Sequence, residues 1–128
     1  MRDALSSGYG LAEPIGAYSH GVWAGNTFYM AGVCGITEKL KTDTDIKLET
    51  FNAMHSAQTV LESQGLTFEN IVSARIYITD MENFADMDEV YKSFFSKPYP
   101  ARATVETVRL ADCAHIEIVF IAYDSSRR

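Results

Sequence analysis

The stretch that decides the fold lies at residues 115–123 and reads His-Ile-Glu-Ile-Val-Phe-Ile-Ala-Tyr, a composition that predicts a strand. Successive side chains of a strand point to opposite faces, and the first face carries the apolar residues Ile116, Ile118, Phe120 and Ala122. Val119 and Ile121 are apolar on the second face, where Glu117 also lies. A sheet with helices on one side only normally shows water a polar second face. We therefore expect another subunit to cover the second face.

Two helices are predicted upstream of this strand, because apolar residues recur there at helical spacing. The first helix covers about 45–64, with Thr44 or Asp45 as its N-cap and Gly65 at its end. Its predicted apolar stripe consists of Leu48, Phe51, Met54 and Leu61. The second helix covers about 83–95, and its stripe consists of Phe84, Met87, Tyr91 and Phe94. These two helices can cover the first face of the sheet.

The remaining strands are predicted at 18–23, 27–33, 70–79 and 101–109. The turn signal Gly25-Asn26 joins the first two in a hairpin, which follows an arm at residues 1–16. One face of the strand at 70–79 is predicted to hold Val72, Ala74, Ile76 and Ile78. Together these elements predict an α+β fold, with a sheet backed by two helices on one face and oligomerising through the other.

Length and charge narrow the classes of protein that this chain can belong to. Its 128 residues predict a single domain, 1–128. With 11 Lys and Arg against 17 Asp and Glu, the net charge of −6 repels phosphate backbones, so we expect no nucleic-acid partner. No apolar run approaches the about 18 residues of a membrane helix, and the first residues lack the apolar core of a signal peptide. We expect no membrane partner and a cytoplasmic localisation.

Two charged residues stand in strands where they could carry chemistry. Glu117 lies among apolar neighbours, where a carboxylate is costly unless it is paired or hydrogen-bonded. It is either a group for acid–base chemistry, a member of a structural ion pair, or a residue at an exposed edge position. Arg102 opens a strand and suits two-pronged capture of a planar carboxylate, or it pairs with Glu106 or another acidic residue.

A metal or cofactor site is not predicted. His20, His55 and His115 show no metal-ligand spacing, and the scattered glycines match no phosphate-binding loop. Cys34 is interpreted as a small buried hydrophobe. The acidic residues at the start of the second helix suit the helix dipole without any metal.

At these positions the chain resembles the RidA/YjgF family of reactive-intermediate deaminases, whose members are also described as endoribonuclease L-PSP-like. The strongest matching block is Pro100-Ala101-Arg102-Ala103-Thr104-Val105-Glu106, followed by His115-Ile116-Glu117-Ile118 and Ile121-Ala122. A second block is Pro14-Ile15-Gly16-Ala17-Tyr18-Ser19-His20, and weaker ones are Ala31-Gly32 and the run 84–95. The blocks occur in the family's order and spacing over nearly the whole chain.

The resemblance implies a chorismate-mutase-like fold and a homotrimer whose sheets form a central barrel, with ligand sites in the clefts between subunits. It also implies an enzyme, a hydrolase like 2-iminobutanoate/2-iminopropanoate deaminase. Such an enzyme converts 2-iminoacids, formed from enamines such as 2-aminoacrylate, to 2-oxoacids and ammonia without a cofactor.

The resemblance also implies roles for individual residues. Arg102 would hold the substrate carboxylate, and Glu117 would orient or deprotonate the attacking water. Tyr18 of a neighbouring subunit would close the site, while Thr104 and the backbone around Gly32 would supply hydrogen bonds.

The chain departs from many deaminating members of the family at several of the compared positions. It has Val33 where they have glutamine, Val119 where they have a second glutamate, and Asp88 where they have asparagine. Since Asp88 is expected beside the carboxylate site, it would repel a carboxylate ligand. The alternative function is a non-catalytic binding or regulatory protein for a small 2-oxoacid. A ribonuclease is disfavoured by the net charge of −6.

Overall fold

The centre of the fold is the last strand, as a computed structural model describing residues 1–6 and 8–127 shows. The strands that this part of the chain forms are β1 Asp3–Leu5, β2 Gly21–Ala24, β3 Thr27–Met30, β4 Val33–Cys34, β5 Ile71–Ile78, β6 Ala101–Glu106 and β7 Ile116–Tyr123. The α-helices are α1 Glu38–Thr42, α2 Ile46–Ser63 and α3 Phe84–Lys92. Short 3-10 turns lie at Phe68–Asn70, Met81–Asn83 and Ala111–Cys113.

All seven strands join one sheet in the order β1-β2-β3-β7-β5-β6, and β4 also pairs with β7. Every pairing is antiparallel except that of β5 with β6, which is parallel. β6 is an edge strand, because it lies at the end of the strand order. The predicted α+β class is therefore confirmed, with a mixed sheet.

The predicted alternation along β7 is confirmed. Its first face is fully buried at Ile116, Ile118, Phe120 and Ala122, against the core to which α2 and α3 contribute. Each large side chain of this set stabilises the fold by about 1.5–3 kcal/mol through burial. Glu117, Val119 and Ile121 on the second face are only half-buried within one chain. The second face is thus open to a further contact.

The predicted bounds of the long helix agree with α2, whose N-cap Asp45 accepts a hydrogen bond from the Leu48 backbone N–H at 3.1 Å. Its predicted apolar stripe is partly wrong, because Leu48 and Phe51 are 48% and 47% exposed. The buried arc is instead Ile46, Glu49, Thr50, Ala53, Met54, Ala57, Val60 and Leu61. Small residues on this arc allow close approach to the sheet. Its two polar residues are hydrogen-bonded, Thr50 to the Ile46 carbonyl oxygen and Glu49 to backbone N–H groups at the start of β7.

Further sequence predictions need correction. Val72 is exposed and not on the buried face, because a β-bulge between Ile71 and Ser73 shifts the register. The arm at residues 1–16 contains β1, which pairs with β2, and β2 begins at Gly21 and not near residue 18. The strand predicted at 101–109 ends at Glu106. Among the described residues, no helix is long and apolar enough to cross a bilayer.

Candidate functional site

Arg102 lies on the edge strand β6, and its guanidinium contacts two aromatic rings of α3. Its Cζ atom is 5.4 Å from the centre of the Phe84 ring and 4.9 Å from that of Tyr91. Its Nη1 donates a hydrogen bond to Asp88 Oδ1 at 2.5 Å. The pairing of Ala74 with Arg102 places both on the helix-covered side of the sheet. The guanidinium is thus fixed in direction by stacking and by one charged hydrogen bond.

The Arg102 guanidinium faces a cavity of about 380 Å³. Its lining consists of Asp88, Tyr91, Lys92, Tyr99, Pro100 and Arg102. A larger cavity of about 630 Å³ lies near Phe68, Phe94 and Phe95, but none of the predicted site residues lines it. The smaller cavity is the stronger candidate, because it joins a positively charged group of fixed direction to an opening of ligand size.

Two hydroxyl groups near Arg102 are buried and find no hydrogen-bond partner among the described residues. They are Tyr91 Oη, which belongs to the cavity lining, and Thr104 Oγ1, two residues along β6 on the same face as Arg102. Buried polar atoms are nearly always paired, so such groups point to a ligand or water. Burial raises the pKa of Tyr91 to about 12, with Arg102 acting against this and Asp88 adding to it. The phenol is therefore neutral at physiological pH and can donate a hydrogen bond.

Glu117 lies on the opposite side of the sheet, in a second cluster with Gly32 and Cys34. Cys34 is the register partner of Glu117, and its thiol Sγ donates to Glu117 Oε1 at 3.6 Å. Gly32 lies directly against the Glu117 side chain, since a Cβ at this position would lie 2.7 Å from Glu117 Cδ and would displace the carboxylate. Burial, followed by the nearby Glu117 carboxylate, raises the pKa of Cys34 to about 12. Cys34 is therefore protonated at neutral pH, so it acts as a hydrogen-bond donor and not as a reactive thiolate.

The strand register shows that Arg102 and Glu117 leave opposite faces of the sheet. Tyr77 on β5 pairs with Glu117 on β7, whereas Ala74 on β5 pairs with Arg102 on β6. These two β5 residues are three positions apart and therefore face opposite sides. Because β5 also lies between the other two strands, one small ligand bound to a single chain does not meet both charged groups.

Tyr18 lies in the segment before β2, with an exposed side chain. Its ring packs edge-on against that of His20, with 6.5 Å between the ring centres. Among the described residues it makes no hydrogen bond or ring contact with Arg102 or Glu117. Within one chain, the structure does not bring Tyr18 to either cluster.

Glu49 is a buried structural carboxylate that the sequence analysis missed. It is fully buried on α2 and accepts hydrogen bonds from the backbone N–H groups of His115 and Ile116, at 2.6 and 3.2 Å. The His115 ring atom Nδ1 lies 2.7 Å from its other oxygen. Glu49 thereby anchors the start of β7 and the direction in which Glu117 leaves the strand. No motif marks it, because its partners are far away in the sequence.

The three histidines lie in separate environments. His20 Nε2 is 2.6 Å from the Ala12 carbonyl oxygen, His55 stacks on Phe51, and His115 contacts Glu49. Within residues 1–6 and 8–127, no three His, Cys, Asp or Glu side chains are grouped so that they could hold a metal ion.

Known proteins resemble the chain over nearly its full length. The family described as endoribonuclease L-PSP matches residues 10–124. A RutC family protein of Pyrococcus horikoshii is 37% identical over 113 residues, which is 87% of this chain and 90% of that protein. A 2-iminobutanoate/2-iminopropanoate deaminase of Dermatophagoides farinae is 35% identical over 109 residues, covering 83% and 84% of the two chains.

A solved structure agrees with this likeness. The crystal structure of Escherichia coli TdcF with bound serine is 27% identical and matches with a TM-score of 0.82, covering 94% of this chain and 98% of that one. The likeness in fold therefore extends beyond the sequence blocks to the whole sheet-and-helix architecture.

Proposed function

Because the chain belongs to the endoribonuclease L-PSP family, which includes the RidA/YjgF proteins, we propose that it is an imine deaminase. Its reaction is the hydrolysis of small 2-iminoacids of the 2-aminoacrylate type to 2-oxoacids and ammonia. A relative that is 35% identical carries the name of this activity. The observation that carries the proposal is the Arg102 guanidinium, which contacts the rings of Phe84 and Tyr91 and lines a cavity.

Arg102 holds the substrate carboxylate in this proposal. Its Nη1 is used by Asp88, and the other guanidinium N–H donors are free to bind a planar anion. The unpartnered hydroxyls of Tyr91 and Thr104 lie on the same side and add hydrogen bonds to the ligand. These contacts fix the imine carbon in one position, which is the main requirement of a reaction with a reactive substrate.

Glu117 of a second subunit supplies the base. The opposite directions of Arg102 and Glu117 favour a site that is completed where two chains meet. A homotrimer that joins the edge strand β6 of one chain to the second face of the next brings the two clusters together. The backbone near Gly32 then lies beside the ligand with Glu117, and Tyr18 closes the cleft.

The proposed reaction needs one group that accepts and returns a proton. The water oxygen adds to C2 of the substrate iminium, while a proton of the water passes to the Glu117 carboxylate. The resulting carbon carries both hydroxyl and amino groups. The amino nitrogen gains a proton from Glu117, the C–N bond breaks and ammonia leaves. The hydroxyl proton passes to the Glu117 carboxylate as the C2 carbonyl forms, which gives the 2-oxoacid, and Glu117 then releases this proton to the departing ammonia or to water.

The test follows ammonia release from 2-iminobutanoate, which an amino-acid oxidase makes in place. We expect Glu117→Gln to lower the deamination rate by about 10²-fold or more, because a positioned acid–base group is lost. Arg102→Lys keeps the charge but loses the two-pronged geometry, so we expect a large loss of kcat/KM and of 2-oxobutanoate affinity. Arg109→Lys, at an exposed arginine in the link before β7, is the matched control and is expected to react like the parent protein.

One result would contradict the enzyme activity, and another the role of Glu117. Ammonia release at the spontaneous rate, with 2-oxobutanoate still bound in a manner that depends on Arg102, supports the alternative of a non-catalytic carboxylate-binding protein. Unchanged deamination by Glu117→Gln removes Glu117 from the reaction. Sedimentation equilibrium tests the trimer separately, since the mass of one chain, 14.3 kDa, would contradict a site shared between subunits.

A further inference from the structure

We infer that Asp88 makes the Arg102 cavity selective for ligands with a positively charged nitrogen next to the carboxylate, and against the corresponding 2-oxoacids. This inference rests on the proposed function, because it concerns the same cavity. The ligand that the site accepts has this positively charged nitrogen, and the product that the site releases does not.

The geometry places a negative and a positive group side by side at the cavity. Asp88 and Arg102 both line it, and their side chains are 35% and 22% exposed, so both reach the opening. Only Asp88 Oδ1 accepts from Arg102, while Oδ2 accepts no hydrogen bond from any residue that the structure describes. Each partner of this ion pair therefore keeps free hydrogen-bonding capacity for a ligand.

A ligand with one negative charge gains less from such a pair than from an arginine alone. Its carboxylate is attracted by Arg102, but the Asp88 carboxylate beside Arg102 repels it and offsets part of this attraction. Lys92 also lines the cavity and adds a more general attraction for anions. Tyr91 offers a hydrogen bond without charge, and Tyr99 also lines the cavity.

A ligand that carries both charges on adjacent carbons fits the pair on both sides. Its carboxylate accepts from the free donors of Arg102, and its N–H groups donate to Asp88. Hydrogen bonds between charged partners are about twice as strong as neutral ones. A carbonyl oxygen at the same position is only an acceptor and faces the Asp88 carboxylate without a proton between them.

This arrangement distinguishes the substrate from the product by the charge next to the carboxylate. The imine nitrogen is protonated when water adds to C2, so the reacting species has a cationic nitrogen beside its carboxylate. After hydrolysis that nitrogen leaves, and the 2-oxoacid keeps the carboxylate but loses the contact with Asp88. The site therefore favours entry of the iminium and release of the oxoacid.

The test is calorimetric binding of three compounds that differ only at C2: 2-aminobutanoate, 2-hydroxybutanoate and 2-oxobutanoate. The hydroxy acid can donate a hydrogen bond but has no positive charge, so it isolates the effect of charge. The parent protein is expected to bind the amino acid at least about tenfold more tightly than either anion. Asp88→Asn is expected to lower this ratio by about tenfold, mainly through tighter binding of the two anions.

Asp86→Asn is the matched control, because Asp86 is an exposed carboxylate on the same helix that does not line the cavity. Its binding ratio should equal that of the parent. Equal affinity of the parent for all three compounds would overturn the inference, as would an unchanged ratio in Asp88→Asn. A ratio that shifts in Asp88→Asn supports the inference even if no ammonia is released, so its outcome is distinguishable from failure of the proposed enzyme activity.

Discussion

Two carboxylates lie near the start of β7, and their surroundings differ in burial and in hydrogen bonding. Glu49 is fully buried and receives three hydrogen-bond contacts, from the backbone of His115 and Ile116 and from the His115 ring. Glu117 is half-buried, and among the described residues only the Cys34 thiol donates to it, at 3.6 Å. The difference separates an anchor of the fold from a group that is available to a ligand.

The physical reason for this division is the free energy cost of burying a charge. A fully buried carboxylate is tolerated only where donors surround it, and its oxygens then have no capacity left for water or substrate. Glu117 keeps most of its acceptor capacity, and a weak thiol donor holds it without neutralising it. An incompletely satisfied carboxylate on an open face is therefore a better candidate for chemistry than a saturated one in the core.

The largest expected effect comes from Glu49. Glu49→Ala leaves the backbone N–H groups of His115 and Ile116, and the His115 ring, without their partner, so we expect the free energy of unfolding to fall by about 3–5 kcal/mol. Chemical denaturation followed by circular dichroism measures this loss. Glu89→Gln, at an exposed carboxylate that pairs with Lys47, is the matched control and should unfold with the parent protein. If Glu49→Ala unfolds with the parent as well, Glu49 is not an anchor.

The next effect concerns the thiol beside Glu117. With the pKa of Cys34 raised to about 12, we expect iodoacetamide to alkylate it at pH 8 at least about 100-fold more slowly than an ordinary cysteine. The rate should rise about tenfold per pH unit between pH 8 and 10, since only the thiolate reacts.

Removing the neighbouring negative charge in Glu117→Gln should lower the pKa of Cys34 and speed its alkylation. Peptide mass spectrometry distinguishes Cys34 from the exposed Cys113, which serves as an internal reference. Rapid alkylation of Cys34 at pH 8 in the parent would show that burial and Glu117 do not hold its proton.

The smallest expected effect is on the stability of Glu117→Gln. An amide keeps one oxygen that the Cys34 thiol can contact, so we expect the free energy of unfolding to change by less than about 1 kcal/mol. Denaturation measured beside the Glu49 variant makes the comparison direct. A loss as large as that of Glu49→Ala would assign Glu117 a structural role and weaken its place in the proposed reaction.

The sequence determined most of the architecture by itself. Alternation along β7, the N-cap Asp45 and the end of α2 depend on residues that are close together in the chain, and the structure confirms them. The predicted apolar stripe was wrong at Leu48 and Phe51, because periodicity does not say which side of a helix the sheet approaches. The prediction for Val72 was also wrong, because a bulge changes the register without a local signal.

The candidate site divides in the same way. Arg102 and Glu117 could be singled out as charged residues in predicted strands, and Asp88 by comparison with the related family. Only the tertiary structure decided that Asp88 pairs with Arg102, that Glu49 anchors β7, and that Arg102 and Glu117 leave opposite faces. These relations join residues that are distant in the chain, and their energies depend on distance and burial, which no local pattern of residues encodes.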